Sequence, residues 1–288
     1  MSEFKYLSEK ILAAEFNILP FKHLLIEDFL SADHLTMLVG DAQIHFDETE
    51  STEDLIHQLN RKGYKIQPFP GCTSDIGEYL HYYNAGKFPS GRKGTPIESY
   101  GITYRLASHH NPNIAALVDY MNGPEFKTTL ETKFGITKRT NIITAIQKNL
   151  SYYEISPHPD VREKALTYLL NVNKDESIDN EAIHTRLCVF KEEWDFVKEY
   201  WKNNPHKNRC WVPWDWCETK FVTNKNNSIV LFAPALDTLH GVKMIYDHNK
   251  FQRTQLYGNL MGVEKIAPPM NYKELLTVAE KRQKKEPK

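Results

Sequence analysis

Cysteine is scarce in this chain, and none of it is arranged in pairs. The 288 residues hold only Cys72, Cys188, Cys210 and Cys217. With no CxxC spacing and so low a density, a structural zinc site and a disulfide-stapled scaffold are both disfavoured, and free thiols in a reducing compartment are expected. Long hydrophobic runs are missing as well: no window approaches the roughly 18 consecutive apolar residues of a membrane helix. The opening MSEFKYLSEK is polar and lacks the apolar core of a secretory signal. The expectation is a cytoplasmic protein with no membrane partner. An excess of one charge is also lacking, since 36 basic side chains face 37 acidic ones for a net charge of −1. That balance provides no general attraction for nucleic acid, so no nucleic-acid partner is expected. Internal repeats are absent.

What is present suffices for a sizeable core, with 41% hydrophobic and 25% charged residues, the profile of an ordinary globular chain. Residues His23 to Ile26 read as a short apolar strand, and Ser31 and Asp33 then mark a helix start. The acidic run DETESTED from Asp47 to Asp54 suggests a solvated loop ahead of an amphipathic segment around Leu55 to Leu59. Between Asn84 and Ser99, glycines, prolines and charges without apolar period predict a long loop. Apolar residues at helical spacing (Ile114, Leu117, Val118, Met121, then Phe126, Leu130, Phe134) predict two helices jointed at Gly123-Pro124 and capped by Gly135. The texture changes near residue 141. Six β-rich runs follow by residue 260: NIITAIQ, YYEIS, ALTYLLNV, RLCVF, SIVLF and RTQLYGNL, at a spacing that suits an antiparallel sandwich or jelly roll. The closing KRQKKEPK reads as a frayed charged end.

Chemistry is carried first by His158 and Asp160 in YYEISPHPDVREKALTYLLNVN. A His-x-Asp pair at a strand end, completed by a distant histidine, has the spacing of a 2-His-1-carboxylate triad that holds Fe(II) on one face. A second such pair, His45-Phe46-Asp47, shows that spacing alone does not select a site. Context does: His45 runs into the acidic loop, whereas His158 lies between two expected strands. The apolar run NSIVLFAPALDTLHGV supplies His240 as the third ligand, with His248 in the following loop as its rival. In RTQLYGNL, period-2 alternation puts Arg253, Gln255, Tyr257 and Asn259 on one face. A guanidinium facing inward beside a metal suits a bidentate clamp on a carboxylate. Gln147 and Tyr153, on the strand leading into HPD, are further candidates for the pocket wall. The Trp-rich stretch from Trp194 to Trp216 could cap a substrate, cover a dimer face or fill a satellite core, and the last is preferred.

Taken together, PFKHLLIEDFLS, MNGPEFKTTLETKFGI, HPD with LTYLLNVN, and LHGV with the following RTQ resemble the Fe(II)- and 2-oxoglutarate-dependent oxygenases, within them the prolyl-4-hydroxylase-like group. The resemblance covers most of the chain. It implies an α+β fold with a mainly β core, a double-stranded β-helix (jelly roll) with supporting N-terminal helices. It also implies His158, Asp160 and His240 as iron ligands and Arg253 on the distal carboxylate of 2-oxoglutarate. Many relatives have serine two residues after the arginine, where this chain has Gln255, and tyrosine on the strand after HxD, where Asn171 falls. A cosubstrate pocket rebuilt with the amides of Asn171 and Gln255 is therefore expected.

One oxygenase domain over residues 1–276 follows, with helical support in 1–140, a barrel core in 141–260 and a charged tail in 277–288. The implied cofactors are Fe(II), 2-oxoglutarate and O2. The implied reaction hydroxylates an unactivated C–H of a small polar metabolite, such as an amino acid, with release of succinate and CO2. It is iron-centred, with no separate acid or base. Hydroxylation of a peptidyl residue and a non-catalytic jelly-roll binding protein are the alternatives. A small molecule is the expected partner, a peptide the second choice, and a homodimer is allowed.

Overall fold

The structure, a computed structural model, describes residues 2–68, 72–86, 101–174 and 176–263. Most of the loop expected at 84–99 lies outside the described residues, as does the charged tail at 277–288. In chain order the first half contains α1 (Lys5–Ala13), β1 (Leu24–Ile26), α2 (Ala32–Val39), α3 (Thr52–Arg61), β2 (Tyr64–Ile66), α4 (Ile76–Ala85), β3 (Thr103–Leu106), α5 (Pro112–Asn122) and α6 (Pro124–Phe134). The second half contains β4 (Thr140–Asn149), β5 (Glu154–His158), β6 (Lys164–Asn171), β7 (Thr185–Phe190), α7 (Phe196–Lys202), β8 (Cys217–Thr223), β9 (Ile229–Phe232), β10 (His240–Lys243) and β11 (Thr254–Gly262).

Local chemistry explains most of these boundaries. Ser31 caps α2 by accepting from the backbone N–H of His34, which satisfies one of the orphan donors of a helix start. Ser51 does the same for α3 at Asp54. The acidic run is therefore not all loop: Thr52, Glu53 and Asp54 form the first turn of α3, where carboxylates meet the positive end of the helix dipole. Pro112 and Pro124 open α5 and α6, and Gly135 ends α6 at φ 65°, a left-handed cap that glycine adopts without cost. All six β-rich runs became strands, namely β4, β5, β6, β7, β9 and β11. Four strands went unanticipated. β2, β3 and β10 have three or four residues each, too few to show a period, and β8 lies at the end of the Trp-rich stretch.

The strands make two antiparallel sheets, one of seven strands in the order β1-β9-β6-β11-β4-β3-β2 and one of four in the order β5-β10-β7-β8. The first 140 residues thus supply strands as well as helices, with β1 at one edge of the large sheet and β3 and β2 at the other. One apolar cluster runs from Phe4 to Leu260 beneath the helices and includes Ile114, Leu117, Met121, Phe126 and Leu130 from α5 and α6. The large sheet gives it Ile146, Leu166, Tyr168, Leu170, Leu256 and Leu260, at even spacings along their strands and so on one face. The alternate residues of β11 face the small sheet.

Gly258, in the middle of β11, is required by its neighbour. A Cβ there would lie 2.1 Å from Tyr168 Cζ, because the Tyr168 ring crosses the glycine to reach Thr144 Oγ1 at 2.6 Å and takes the edge of Phe126. His248, weighed above as a rival metal ligand, is fully buried and already engaged. Its Nδ1 accepts from the Ser151 N–H at 3.2 Å, and its Nε2 sits 3.0 Å from Thr52 Oγ1. Burial lowers its pKa to about 4.

Two outcomes are expected. Gly258→Ala should lower stability by about 1–3 kcal/mol, the cost of overpacking a filled core; an unchanged urea midpoint would mean that Tyr168 moves aside freely. Because His248 titrates lower folded than unfolded, the unfolded chain binds more protons between about pH 6.5 and 4, and stability falls on acidification through that range. In urea melts at pH 7 and pH 5, His248→Gln should lose about 1–2 kcal/mol less than wild type between the two conditions. Equal losses would remove His248 from the account.

Candidate metal centre and its cavity

His158 ends β5 and His240 opens β10. Antiparallel pairing of these strands sets the two residues directly opposite each other, with ring centroids 4.4 Å apart. Asp160 lies two residues past the end of β5, at φ 70°, in the left-handed region that Asp tolerates better than most residues. That reversal returns its carboxylate to the histidines. Oδ1 is 3.7 Å from His158 Nε2 and Oδ2 is 3.6 Å from His240 Nε2. The three ligand atoms lie within 4.8 Å of one another and could hold a metal ion; among the described residues no other trio of His, Cys, Asp or Glu does so.

The imidazoles are presented in the state a metal needs. His158 Nδ1 lies 2.8 Å from the carbonyl of Ser156 and His240 Nδ1 lies 3.1 Å from that of Thr238. A carbonyl only accepts, so each Nδ1 carries the proton and each Nε2 turns a lone pair towards Asp160. Burial, reinforced by His158, pushes the His240 pKa down to about 3. For Asp160, burial works to raise the pKa, but the paired Lys164 ammonium outweighs it and holds the carboxyl well below its usual range. Lys164 Nζ donates to Oδ1 at 2.5 Å and to the Tyr257 hydroxyl at 3.0 Å, while Thr167 Oγ1 donates to Oδ2 at 2.6 Å. Two neutral nitrogens and one oriented carboxylate on one side of a cavity fit the facial donor set that suits Fe(II).

The cavity beside them has a volume of about 260 Å³ and is walled by both sheets. Arg253, immediately before β11, is fully buried in its wall. Nη1 donates to Asn149 Oδ1 and Nη2 to Thr185 Oγ1, both at 3.2 Å, and Nε has no partner. Burial lowers its pKa to about 10, which leaves the guanidinium charged at neutral pH. Among the described residues no carboxylate pairs with it. A buried cation held only by neutral oxygens is costly unless an anion completes it, and a ligand carboxylate would do so.

The remaining expected residues separate. Gln255, Gln147 and Tyr153 line the cavity. Asn171 is not among the lining residues: its Nδ2 donates to the carbonyls of Thr223 and Lys225, and its Oδ1 accepts from Gln255 at 2.8 Å. It orients Gln255 instead of reaching the cavity, because at the last position of β6 its amide is spent on the Thr223 and Lys225 carbonyls and on Gln255. The His45 and Asp47 side chains meet at 3.8 Å in an exposed position outside the cavity lining.

Asn149, Thr185, Lys164, Thr167 and Arg105 were missed. Asn149 could have been found as the next inward position after Gln147 on β4, and Thr167 by alternation along β6. Arg105 could not, because its strand is too short to announce itself. The Trp-rich stretch does two things. Trp194 and Trp216 stack at 3.9 Å over a satellite core of Cys188, Phe190 and Val197, as expected, while Arg209, Cys210 and Trp211 line the cavity.

No family model and no curated protein matches the chain. Among solved structures it is similar to a prolyl-4-hydroxylase of Pseudomonas putida, at 8% identity and TM-score 0.43 over 91% of this chain and 100% of that one. It is similar to HygX of Streptomyces hygroscopicus with nickel, 2-oxoglutarate and hygromycin B bound, at 10% identity and TM-score 0.39 over 91% and 88%. A third is a prolyl hydroxylase in complex with a hypoxia-inducible-factor oxygen degradation domain peptide fragment, from Trichoplax adhaerens, at 12% identity and TM-score 0.32 over 75% and 96%. At these identities and scores the likeness carries no argument about activity, which rests on the chain's own residues.

Proposed function

We propose that the chain is an Fe(II)- and 2-oxoglutarate-dependent oxygenase of the prolyl-4-hydroxylase-like group, a hydroxylase whose two sheets are the halves of a jelly roll within one domain spanning residues 1–276. The observation that carries this reading is the pairing, across one cavity, of the His158, Asp160 and His240 cluster with a buried Arg253 that has no acidic partner among the described residues. The cluster alone would suit many metals and many reactions. The unpaired guanidinium adds the demand for a carboxylate ligand in the same cavity, which a dicarboxylate cosubstrate meets.

Iron(II) with 2-oxoglutarate and O2 would supply the oxidation, releasing succinate and CO2 as a substrate C–H becomes C–OH. The chain's own residues bind and orient. His158, Asp160 and His240 hold the metal from one side, with Nδ1–H bonds to Ser156 and Thr238 fixing both tautomers. Thr167 and Lys164 keep the Asp160 carboxylate charged and aimed. Arg253 receives the distal carboxylate, itself positioned by Asn149 and Thr185, with Gln255, Gln147 and Tyr153 on the wall and Asn171 behind Gln255. No separate general acid or base is needed.

The substrate in this reading is a small polar metabolite, with a peptidyl residue as the alternative, beside a cavity of about 260 Å³, at the small end of ligand clefts, roughly 300–1,000 Å³. A non-catalytic binding role is the reading against which the enzyme is tested. No helix among the described residues is long and apolar enough to cross a membrane.

The purified protein, given Fe(II) and 2-oxoglutarate without oxygen, should develop the weak visible charge-transfer band of a chelated cosubstrate; its absence would end the oxygenase reading. Arg253→Gln should weaken 2-oxoglutarate binding at least tenfold, as removal of a charge-assisted contact does. Asp160→Ala should abolish succinate release; full activity in that variant would move the metal elsewhere.

A further inference from the structure

The cavity is far more positive than the chain that encloses it. Its described lining contains four cationic side chains, Arg105, Lys164, Arg209 and Arg253, and a single carboxylate, Asp160. The chain as a whole has net charge −1. Lys164 is paired with Asp160, and the proposed metal and cosubstrate do not change the balance, because a divalent cation and a dianion cancel. The excess of three positive charges therefore remains when both are bound. Arg253 has a use under the oxygenase reading. Arg105 and Arg209 have none.

Arg105 is built as a receptor. It sits on β3 opposite Gln147 of β4. Its Nε donates to Gln147 Oε1 at 3.1 Å, and its guanidinium lies 5.1 Å from the Tyr257 ring centroid. These contacts fix the plane of the group through its inner edge and one face. Among the described residues the two η-nitrogens have no hydrogen-bond partner and no carboxylate forms an ion pair with them. Lysine in this place would be a mobile point charge, whereas a guanidinium held by Nε offers a fixed fork that matches a carboxylate. Gln147, the residue that holds Arg105, also faces Gln255 across the strand pair, so the receptor and the cosubstrate wall share one row. Arg209, exposed and with its guanidinium 5.1 Å from the Trp211 ring, adds a second cation that has no acidic partner among the described residues.

Resting on the oxygenase reading, we infer that the primary substrate is a small molecule of net negative charge whose carboxylate is received by Arg105, with Arg209 adding to its attraction. A neutral amide analogue lacks the charge to match the fork, and a cationic one meets the same-sign field of the cavity. Substrate selection would then be electrostatic, by side chains distinct from those that hold the metal.

The test is calorimetric binding to protein loaded with Zn(II), which does not turn over, and saturated with 2-oxoglutarate so that acids cannot score by displacing it. The probes are L-aspartate and L-glutamate against L-asparagine, L-glutamine and L-lysine. The acids are expected to bind at least tenfold more tightly than their amides, with lysine weakest, and to weaken as salt rises. Arg105→Gln should remove that preference while leaving 2-oxoglutarate affinity within about twofold, and that affinity also reports that the variant is folded. Arg105→Lys should restore part of it. The inference is overturned if neither acid binds, if amides or lysine bind as well as the acids, if Arg105→Gln keeps the preference, or if that variant loses 2-oxoglutarate instead, which would assign the arginine to the cosubstrate. Failure of the wild-type protein to take up metal and 2-oxoglutarate would be a failure of the oxygenase reading, recognisable before any probe is added.

Discussion

Antiparallel pairing between β5 and β10 is the constraint on which the rest of the site depends. It sets His240 opposite His158 although 82 positions separate them in the chain, and it leaves Asp160 free to turn back from the strand end through a left-handed residue. Everything nearby serves that juxtaposition. The carbonyls of Ser156 and Thr238, each two residues before its histidine, take the Nδ1 protons, so the strands that place the rings also set their tautomers. A slip of one residue in this register would turn one imidazole to the opposite face.

The electrostatics of the cavity follow from burial acting on charges that cannot escape it. Asp160 is buried, Lys164 is half-buried beside it, and the carboxyl is held well below its normal range although desolvation opposes this. Arg253 has no such partner, and desolvation lowers its pKa to about 10. A buried pair satisfied internally is structural, whereas a buried cation satisfied only by Asn149 and Thr185 is poised for an anion. The same distinction separates His240 from His248. Both are buried, but His248 spends its ring nitrogens on Ser151 and Thr52, while His240 keeps Nε2 for the cavity.

Much of this was legible in the sequence because β-structure writes its faces at period 2. The alternation of Arg253, Gln255, Tyr257 and Asn259 against Leu256 and Leu260 along β11 gave the inward face directly, and the apolar spacing from Ile114 to Leu130 gave the two helices that cover the outward one. Asn171 was less legible. Its strand and face were readable, but its amide is drawn to the carbonyls of Thr223 and Lys225, which come from chain-distant residues. Arg105 was illegible for a different reason: a four-residue strand has too few positions for a period, and only its pairing with β4 brings it to the wall.

The sequence by itself determined the local facts: the cap at Ser31, the break at Gly123-Pro124, the strands rich in β-branched residues, and the His158-x-Asp160 pair as a candidate for metal binding. Those signals act over a few residues and survive in any fold. Tertiary structure alone decided which histidine completes the trio, that Asn171 stands behind Gln255, and that three arginines without acidic partners among the described residues meet in one cavity of a chain with almost no net charge. Net charge sums over the whole chain, whereas an electric field depends on where the charges lie, and only strand order and register fix those positions.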